Sequence, residues 1–449
     1  MEDIEYLQKL DKDIIWHPFT QMKDWIRQTP TIITEGRDCF IKDINGKWYI
    51  DGISSMWVNI HGHNKKEINE AITKQLEKIA HSTLLGLANE PSILLAEKLI
   101  MLISGKLNKV FYSDNGSTAV EVALKMAFQY WQHRGIKGKT AFVSLKNAYH
   151  GDTLGAISVG AIDIFHEAFK PLMFNVFNAP SPYCYRCELG FNRASCDMAC
   201  IDELEGIFKR HSREICALIV EPMIQCAGGM IVAPSGYLSA IRQLCTRYDI
   251  LLIADEVATG FGRTGRMFAC EHEAVVPDIM CLSKGITGGY LPLAVTVATE
   301  DIYRAFLGEY EELKTFFHGH SYTGNQIGCA AAISCIELFE KDSTLNKLAG
   351  KVELLNRWAE EVKGCRAVGD VRTIGLMAGV ELVMDKDTKR PYPFEQKMGW
   401  QICLDVRRRG VFLRPLGNII VIMPPLAISE ENLKVMLEHI MTSILEVTK

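Results

Sequence analysis

The chain has 449 residues, 48% hydrophobic and 23% charged, with a formal net charge of −5. This is an ordinary soluble composition, with room for two or three domains at roughly 100–200 residues each. The slight acidic excess argues against a nucleic-acid surface, and the one basic knot, Arg407, Arg408 and Arg409, reads as a solvated helix turn.

The start, MEDIEYLQKLDKD, is acidic and lacks an apolar signal core. No run of about 18 apolar residues suggests a membrane span. Fourteen cysteines, most of them scattered, read as reduced thiols rather than a disulfide framework. A cytoplasmic protein without membrane or nucleic-acid partners is expected.

In chain order, CFIKDINGKWYIDG predicts a hairpin turning at Asn45-Gly46. KEINEAITKQLEKIA carries apolar residues at Ile68, Ile72, Leu76 and Ile79 and predicts a helix, and PSILLAEKLIML predicts another. Strands are then predicted at 109–113, 140–145, 217–222, 251–256, 279–283 and 293–299. Helices are predicted between and after them at about 117–134, 199–211, 235–248 and 325–340. This alternation indicates an α/β fold with a mostly parallel sheet covered on both faces. Beyond about residue 345 come a helix (344–363), VRTIGLMAGVELV, a helix (394–409), VFLRPLGNIIVIMPP and a last helix (429–447). We expect this α+β unit to join the first strands in a smaller domain, 1–64 with 344–449, beside a large domain of 65–343.

In LSKGITGGYLPLAV, Lys284 sits at the end of an apolar strand. A buried ammonium is costly, so such a lysine tends to lose its proton or form a bond, and a neutral amine suits an aldehyde. The preceding strand, LLIADEVATGFGRTG, ends in Asp255-Glu256, at the edge where open α/β sheets bind ligands. A carboxylate for a pyridine nitrogen and an amine for an aldehyde on the same ring are what pyridoxal phosphate requires. Taken alone, Asp255-Glu256 also fits a simple turn acid. Gly260, Gly262 and Gly265 match a dinucleotide fingerprint, but no helical pattern follows them.

Asn115, Gly116, Ser117 and Thr118 open a helix after a strand, either as a plain N-cap or as a phosphate site. Tyr149, followed by His150, could stack on a planar cofactor or simply pack in its loop. His320, Ser321 and Thr323 form a second polar loop ahead of a helix. CYRCELGFNRASCDMAC holds Cys184 and Cys187, with Cys196 and Cys200 expected on one helical face. Four such thiolates could bind zinc, although the pairs are closer in sequence than in common zinc ribbons; free thiols in a surface insertion are the other reading.

The pairing of LLIADEVATGFGRTG with LSKGITGGYLPLA resembles the fold-type I, class III pyridoxal-phosphate aminotransferases over nearly the whole chain. IIWHPFTQMKDW, DGISSMWVNIHGHN, YHGDTLGAISVG and FLRPLGNIIVIMPPL are similar to the 7,8-diaminononanoate synthases of biotin synthesis, which aminate 8-amino-7-oxononanoate. The resemblance implies ping-pong transamination in a homodimer with shared sites. It implies that Lys284 bonds the cofactor aldehyde and shuttles a proton, Asp255 holds the ring nitrogen's proton and Tyr149 stacks near the ring. Gly116 and Ser117 would bind phosphate, with His320 and Ser321 arriving from the partner subunit. Trp57, Phe19, Tyr149 and Gly319 would line the substrate pocket, and Arg414 would grip the substrate carboxylate.

Relatives that use S-adenosylmethionine as donor commonly carry a tyrosine at the position of Phe19, a hydroxyl near Val421, and proline and threonine in place of His320-Ser321. These departures resemble a branch that takes its amino group from lysine. The competing functions are amino transfer to another ω-amine, an aminomutase of the same fold, and a non-catalytic cysteine-cluster metal module.

Overall fold

The computed structural model describes residues 4–103 and 105–449. Seven segments pair into the central sheet: β1 (Leu107–Ser113), β2 (Ala141–Leu145), β3 (Val176–Ala179), β4 (Ile215–Val220), β5 (Leu251–Asp255), β6 (Ile279–Leu282) and β7 (Ala294–Thr299). Their order is β1-β7-β6-β5-β4-β2-β3. Strands β6, β5, β4, β2 and β3 are parallel neighbours, whereas β7 runs antiparallel to both β6 and β1. The link 283–293 is too short for the crossover that a parallel return needs, so β7 turns straight back along β6. The edge strand β3 is not among the expected strands. Its VFNA is only half-buried and carries no apolar run.

Strands β4, β5 and β6 are buried along their whole length, and successive residues feed opposite layers. Leu252 and Ala254 join one core, which includes Cys329 and Cys335 of α2 (Gln326–Lys341). Leu251 and Ile253 join another, which includes Ala123 and Ala127 of α1 (Gly116–His133). The expected α/β architecture is therefore present, with helices on both faces of a mostly parallel sheet. Among the described residues, no helix is long and apolar enough to cross a membrane.

The two chain ends share a sheet. Ile33–Arg37, Phe40–Asp43 and Trp48–Asp51 form an antiparallel meander, to which Val411–Phe412 adds in parallel. The turn at Asn45-Gly46 forms as expected, with Gly46 at φ +87°. Of the expected apolar face of Lys66–Lys78 only part is covered: Ile68 is buried, while Leu76 and Ile79 are exposed. VRTIGLMAGVELV folds as the hairpin Val368–Ile374 and Met377–Asp385. Its turn glycine, Gly375, has φ +53°, and a Cβ there would lie 2.3 Å from the Thr264 carbonyl carbon. The basic knot is only partly a solvated face. Arg408 is exposed, but Arg407 stacks over Phe412, and Arg409 pairs with Asp405 and Glu446.

Arg263 ties these units together. It is fully buried and donates from Nη1 to the Pro424 carbonyl (2.8 Å) and from Nη2 to the Asn59 carbonyl (2.7 Å). Burial lowers its pKa to about 9. Arg263→Leu would leave two buried carbonyls without donors and should cost about 3 kcal/mol. Urea unfolding of the cofactor-free protein measures this, and an unchanged midpoint would refute the linking role.

Candidate active site

The parallel strands end on one edge of the sheet, and a cavity of about 430 Å³ opens there. Its walls include Gly116 and Ser117 beyond β1, Tyr149 and His150 beyond β2, Glu221 beyond β4, Asp255 at the end of β5, Lys284 beyond β6, and Trp57 from the amino-terminal segment. This volume falls within the range of small-molecule sites.

Lys284 follows β6 in a left-handed backbone conformation, φ +46°. A β-carbon is strained there, and such outliers persist only when the surroundings enforce them. Here Ser283 Oγ donates to the Leu293 carbonyl (2.9 Å) and Thr287 Oγ1 to the Leu291 carbonyl (2.7 Å), clamping the turn. Burial lowers the pKa of the Lys284 amine, against the opposing pull of Cys226, Asp255 and Glu221.

The Lys284 Nζ lies 4.8 Å from the centre of the Trp57 ring. Trp57 reaches it from a run of four left-handed residues, Ser54, Ser55, Met56 and Trp57, with φ of 50°, 41°, 72° and 74°. Such a run costs about 1–2 kcal/mol per residue. The buried Asp51 carboxylate offsets this by accepting from Ser55 N–H and Oγ, both at 2.8 Å, and by pairing with His63 Nε2 at 2.9 Å. Ser54 Oγ also donates to the Met423 carbonyl, 2.6 Å away.

Asp255 is buried and doubly anchored. Its Oδ1 accepts from Val257 N–H at 3.1 Å, and its Oδ2 pairs with His150 Nδ1 at 2.7 Å. His150 is itself buried. The Tyr149 hydroxyl donates to Asp152 (2.8 Å), and its ring meets Phe165 edge-on at 6.2 Å. Glu221 accepts N–H groups from Tyr149 (3.2 Å) and Cys226 (2.8 Å), and burial raises its pKa to about 7.

The phosphate-like turn is a helix start. Asn115 caps α1, accepting from Thr118 N–H at 3.1 Å. Gly116 and Ser117 stand in the first turn, where N–H groups lack intrahelical acceptors and the dipole favours an anion. At Gly116 a Cβ would lie 2.7 Å from Val257 Cγ1, so the helix start is pressed against the loop after β5.

Lys284, Asp255, Tyr149, Gly116, Ser117 and Trp57 thus converge on one cavity. Gly319, His320 and Ser321 do not border it. In their loop Gly319 and Ser321 are exposed and His320 is half-buried, and His320 N–H donates to Thr323 Oγ1 at 3.2 Å. Arg414 and Phe19 also stand outside the lining but touch each other, since Arg414 Nη2 donates to the Phe19 carbonyl at 2.6 Å. Partial burial lowers the Arg414 pKa. The Phe19 ring meets Phe165 edge-on at 5.2 Å, which joins it to the Tyr149 wall.

Sequence reasoning missed Glu221, although its place at the end of ALIVEP mirrors Asp255 at the end of LLIAD. It read His150 only as a neighbour of Tyr149. The cysteine expectation needs correction. Cys196 lies in the turn before the helix Ala199–His211 and only Cys200 is on it, because Met198, at φ +53°, breaks the backbone between them. The four thiols border one surface pocket, but among the described residues no three His, Cys, Asp or Glu side chains are placed to hold a metal ion.

Residues 21–444 match the family "Aminotransferase class-III". Over 447 residues, 99% of each chain, the protein is 54% identical to the adenosylmethionine-8-amino-7-oxononanoate aminotransferase of Geobacter sulfurreducens. It is also 54% identical over 445 residues to the enzyme of that name from Anoxybacillus flavithermus, covering 99% of this chain and 97% of the relative. The crystal structure of adenosylmethionine-8-amino-7-oxononanoate aminotransferase from Methanocaldococcus jannaschii superposes with a TM-score of 0.95, at 45% identity over 99% of both chains. The chain belongs to the class-III aminotransferases, a family of pyridoxal-phosphate-dependent enzymes.

Proposed function

We propose that this protein converts 8-amino-7-oxononanoate to 7,8-diaminononanoate, the amino-transfer step of biotin synthesis. The observation that carries the reading is full-length identity of 54% to enzymes named for that substrate, in a chain whose buried lysine and strand-end acid share one cavity.

The residues present fit pyridoxal phosphate. A lysine whose amine burial drives toward neutrality, an anchored carboxylate, an aromatic wall and a helix start surround one space of suitable size. When bound, this cofactor supplies an aldehyde for amine exchange and a ring that accepts the electron pair released at the reacting carbon. Lys284 Nζ is the group to bond the aldehyde and, once freed, to move the proton as general base and acid. Asp255 holds the proton of the ring nitrogen. Tyr149 forms the wall beside the ring, and Gly116 and Ser117 bind the phosphate. Trp57, Phe19 and Gly319 bound the substrate, and Arg414 meets its carboxylate through a planar fork suited to that anion.

Gly319, His320 and Ser321 act from a partner subunit in a homodimer. In support, Leu85, Leu87, Phe317 and Tyr322 are 67%, 63%, 72% and 64% exposed on the segments around that loop. An apolar patch of this kind fits a subunit interface. The chain divides as 1–64 with 344–449 and 65–343, and it works in the cytoplasm. Its donor is S-adenosylmethionine, as the relatives' names have it, or lysine, which the phenylalanine at position 19 and Val421 support.

Borohydride treatment of the cofactor-loaded enzyme should fix a pyridoxyl label on Lys284, and Lys284→Ala should lose both label and turnover; activity surviving in that variant would end the assignment. Arg414→Ala should raise KM for the keto acid roughly 10–100-fold, as expected for a lost charged hydrogen bond. An unchanged KM would remove Arg414 from the site. Single-turnover reactions with S-adenosylmethionine and with lysine, followed by the loss of the visible band, identify the donor as the one that bleaches it.

A further inference from the structure

Glu221 borders the same cavity as Lys284 and Asp255, yet the chemistry above assigns it nothing. Its surroundings are unusual for a buried acid. Where Asp255 is paired with a histidine ring at 2.7 Å, Glu221 is held by two backbone N–H groups, from Tyr149 and Cys226. Those two bonds join the loop after β2 to the loop after β4, so the carboxyl also pins the Tyr149 wall in place. The titratable groups that act on this corner are His150 and Tyr149 from the loop after β2, Cys226 from its own loop, Asp255 from β5, Lys284 from beyond β6, and the buried Arg263.

Two buried carboxyls and one largely desolvated amine around one cavity cannot all carry charge without a cost. Moving a proton between Glu221 and the lysine nitrogen leaves the net charge of the site unchanged. Moving one to solvent does not. Burial acts on the two groups in opposite senses, lowering the proton affinity of the amine and raising that of the carboxyl.

We propose that Glu221 is the positioning residue that sets the charge of the lysine site: protonated, it leaves the Lys284 nitrogen free of its proton, and ionised, it favours the protonated nitrogen. The inference rests on Lys284 as the cofactor-bearing residue. Burial raises the Glu221 carboxyl from 4.5 to about 7, so this group changes its charge near neutrality. The sign for stability follows. A carboxyl raised in the folded state favours folding fully below pH 4.5, and that contribution is lost as pH rises through about 7.

Glu221→Gln tests this, because the amide oxygen can still accept the backbone N–H groups while the ionisation is removed. In the cofactor-loaded enzyme, the midpoint for protonation of the visible band should fall by about one pH unit or more relative to the parent, since a nearby negative charge is gone. Glu221→Asp should restore much of the parent curve. In the cofactor-free protein, the decline in unfolding midpoint between pH 4.5 and about 7 should flatten in Glu221→Gln. Superimposable band titrations in parent and Glu221→Gln would overturn the proposal, even if cofactor affinity falls, because a purely structural clamp would behave that way. A parent protein that forms no visible band with pyridoxal phosphate would overturn both this inference and the function above. A parent band that forms and titrates, with a Glu221→Gln curve lying on top of it, overturns this inference alone.

Discussion

The molecule is organised around one constraint: an amine is set, largely desolvated, in a cavity wall beyond the end of a buried strand. Burial lowers the pKa of the Lys284 amine, while Asp255, Glu221 and Cys226 pull the other way. The balance leaves a nitrogen that gives up its proton more readily than an ordinary lysine. Such a group needs walls that exclude water and acids that do not drift, and much of the architecture around β5 and β6 supplies them.

Those walls come from distant parts of the chain. Trp57 reaches the amine only through four left-handed residues, whose strain is carried by the bonds of Asp51 and Ser54. Arg263 then locks that segment, through Asn59, to the carboxy-terminal strand end at Pro424. Gly375 lets the hairpin turn approach the Arg263–Gly265 loop where no side chain would fit. The amino-terminal segment, the large sheet and the carboxy-terminal unit therefore meet at one corner, beside the lysine.

The helix-start side of the cavity needs less support. A helix start with its Asn115 cap already offers N–H groups, and packing Gly116 against Val257 sets it at the mouth of the cavity. The second polar loop, with His320 and Ser321, does not border the cavity. Arg414 and Phe19 likewise sit beyond the lining and connect to it through Phe165.

Much of this was legible in the sequence. The buried strands read as continuous apolar runs, and the helices between and after them showed their periods and caps, because those signals are local and repeat within about ten residues. A lysine and an acid, each closing such a run, pointed to the cavity edge before any contact was known, because parallel strands put their carboxyl ends on one side. The direction of β7 was not legible, since it depends on how a short link crosses space; β3 lacks an apolar run, and the break at Met198 rests on one left-handed residue.

Only the tertiary structure decided which groups touch. His150 and Asp255 are 105 residues apart in sequence, and Glu221 and Tyr149 are 72 apart. Nothing within either segment announces these pairs. They arise because the sheet order places β5, β4 and β2 side by side, and strand order is set by the cost of closing loops and by the shared core rather than by any local pattern.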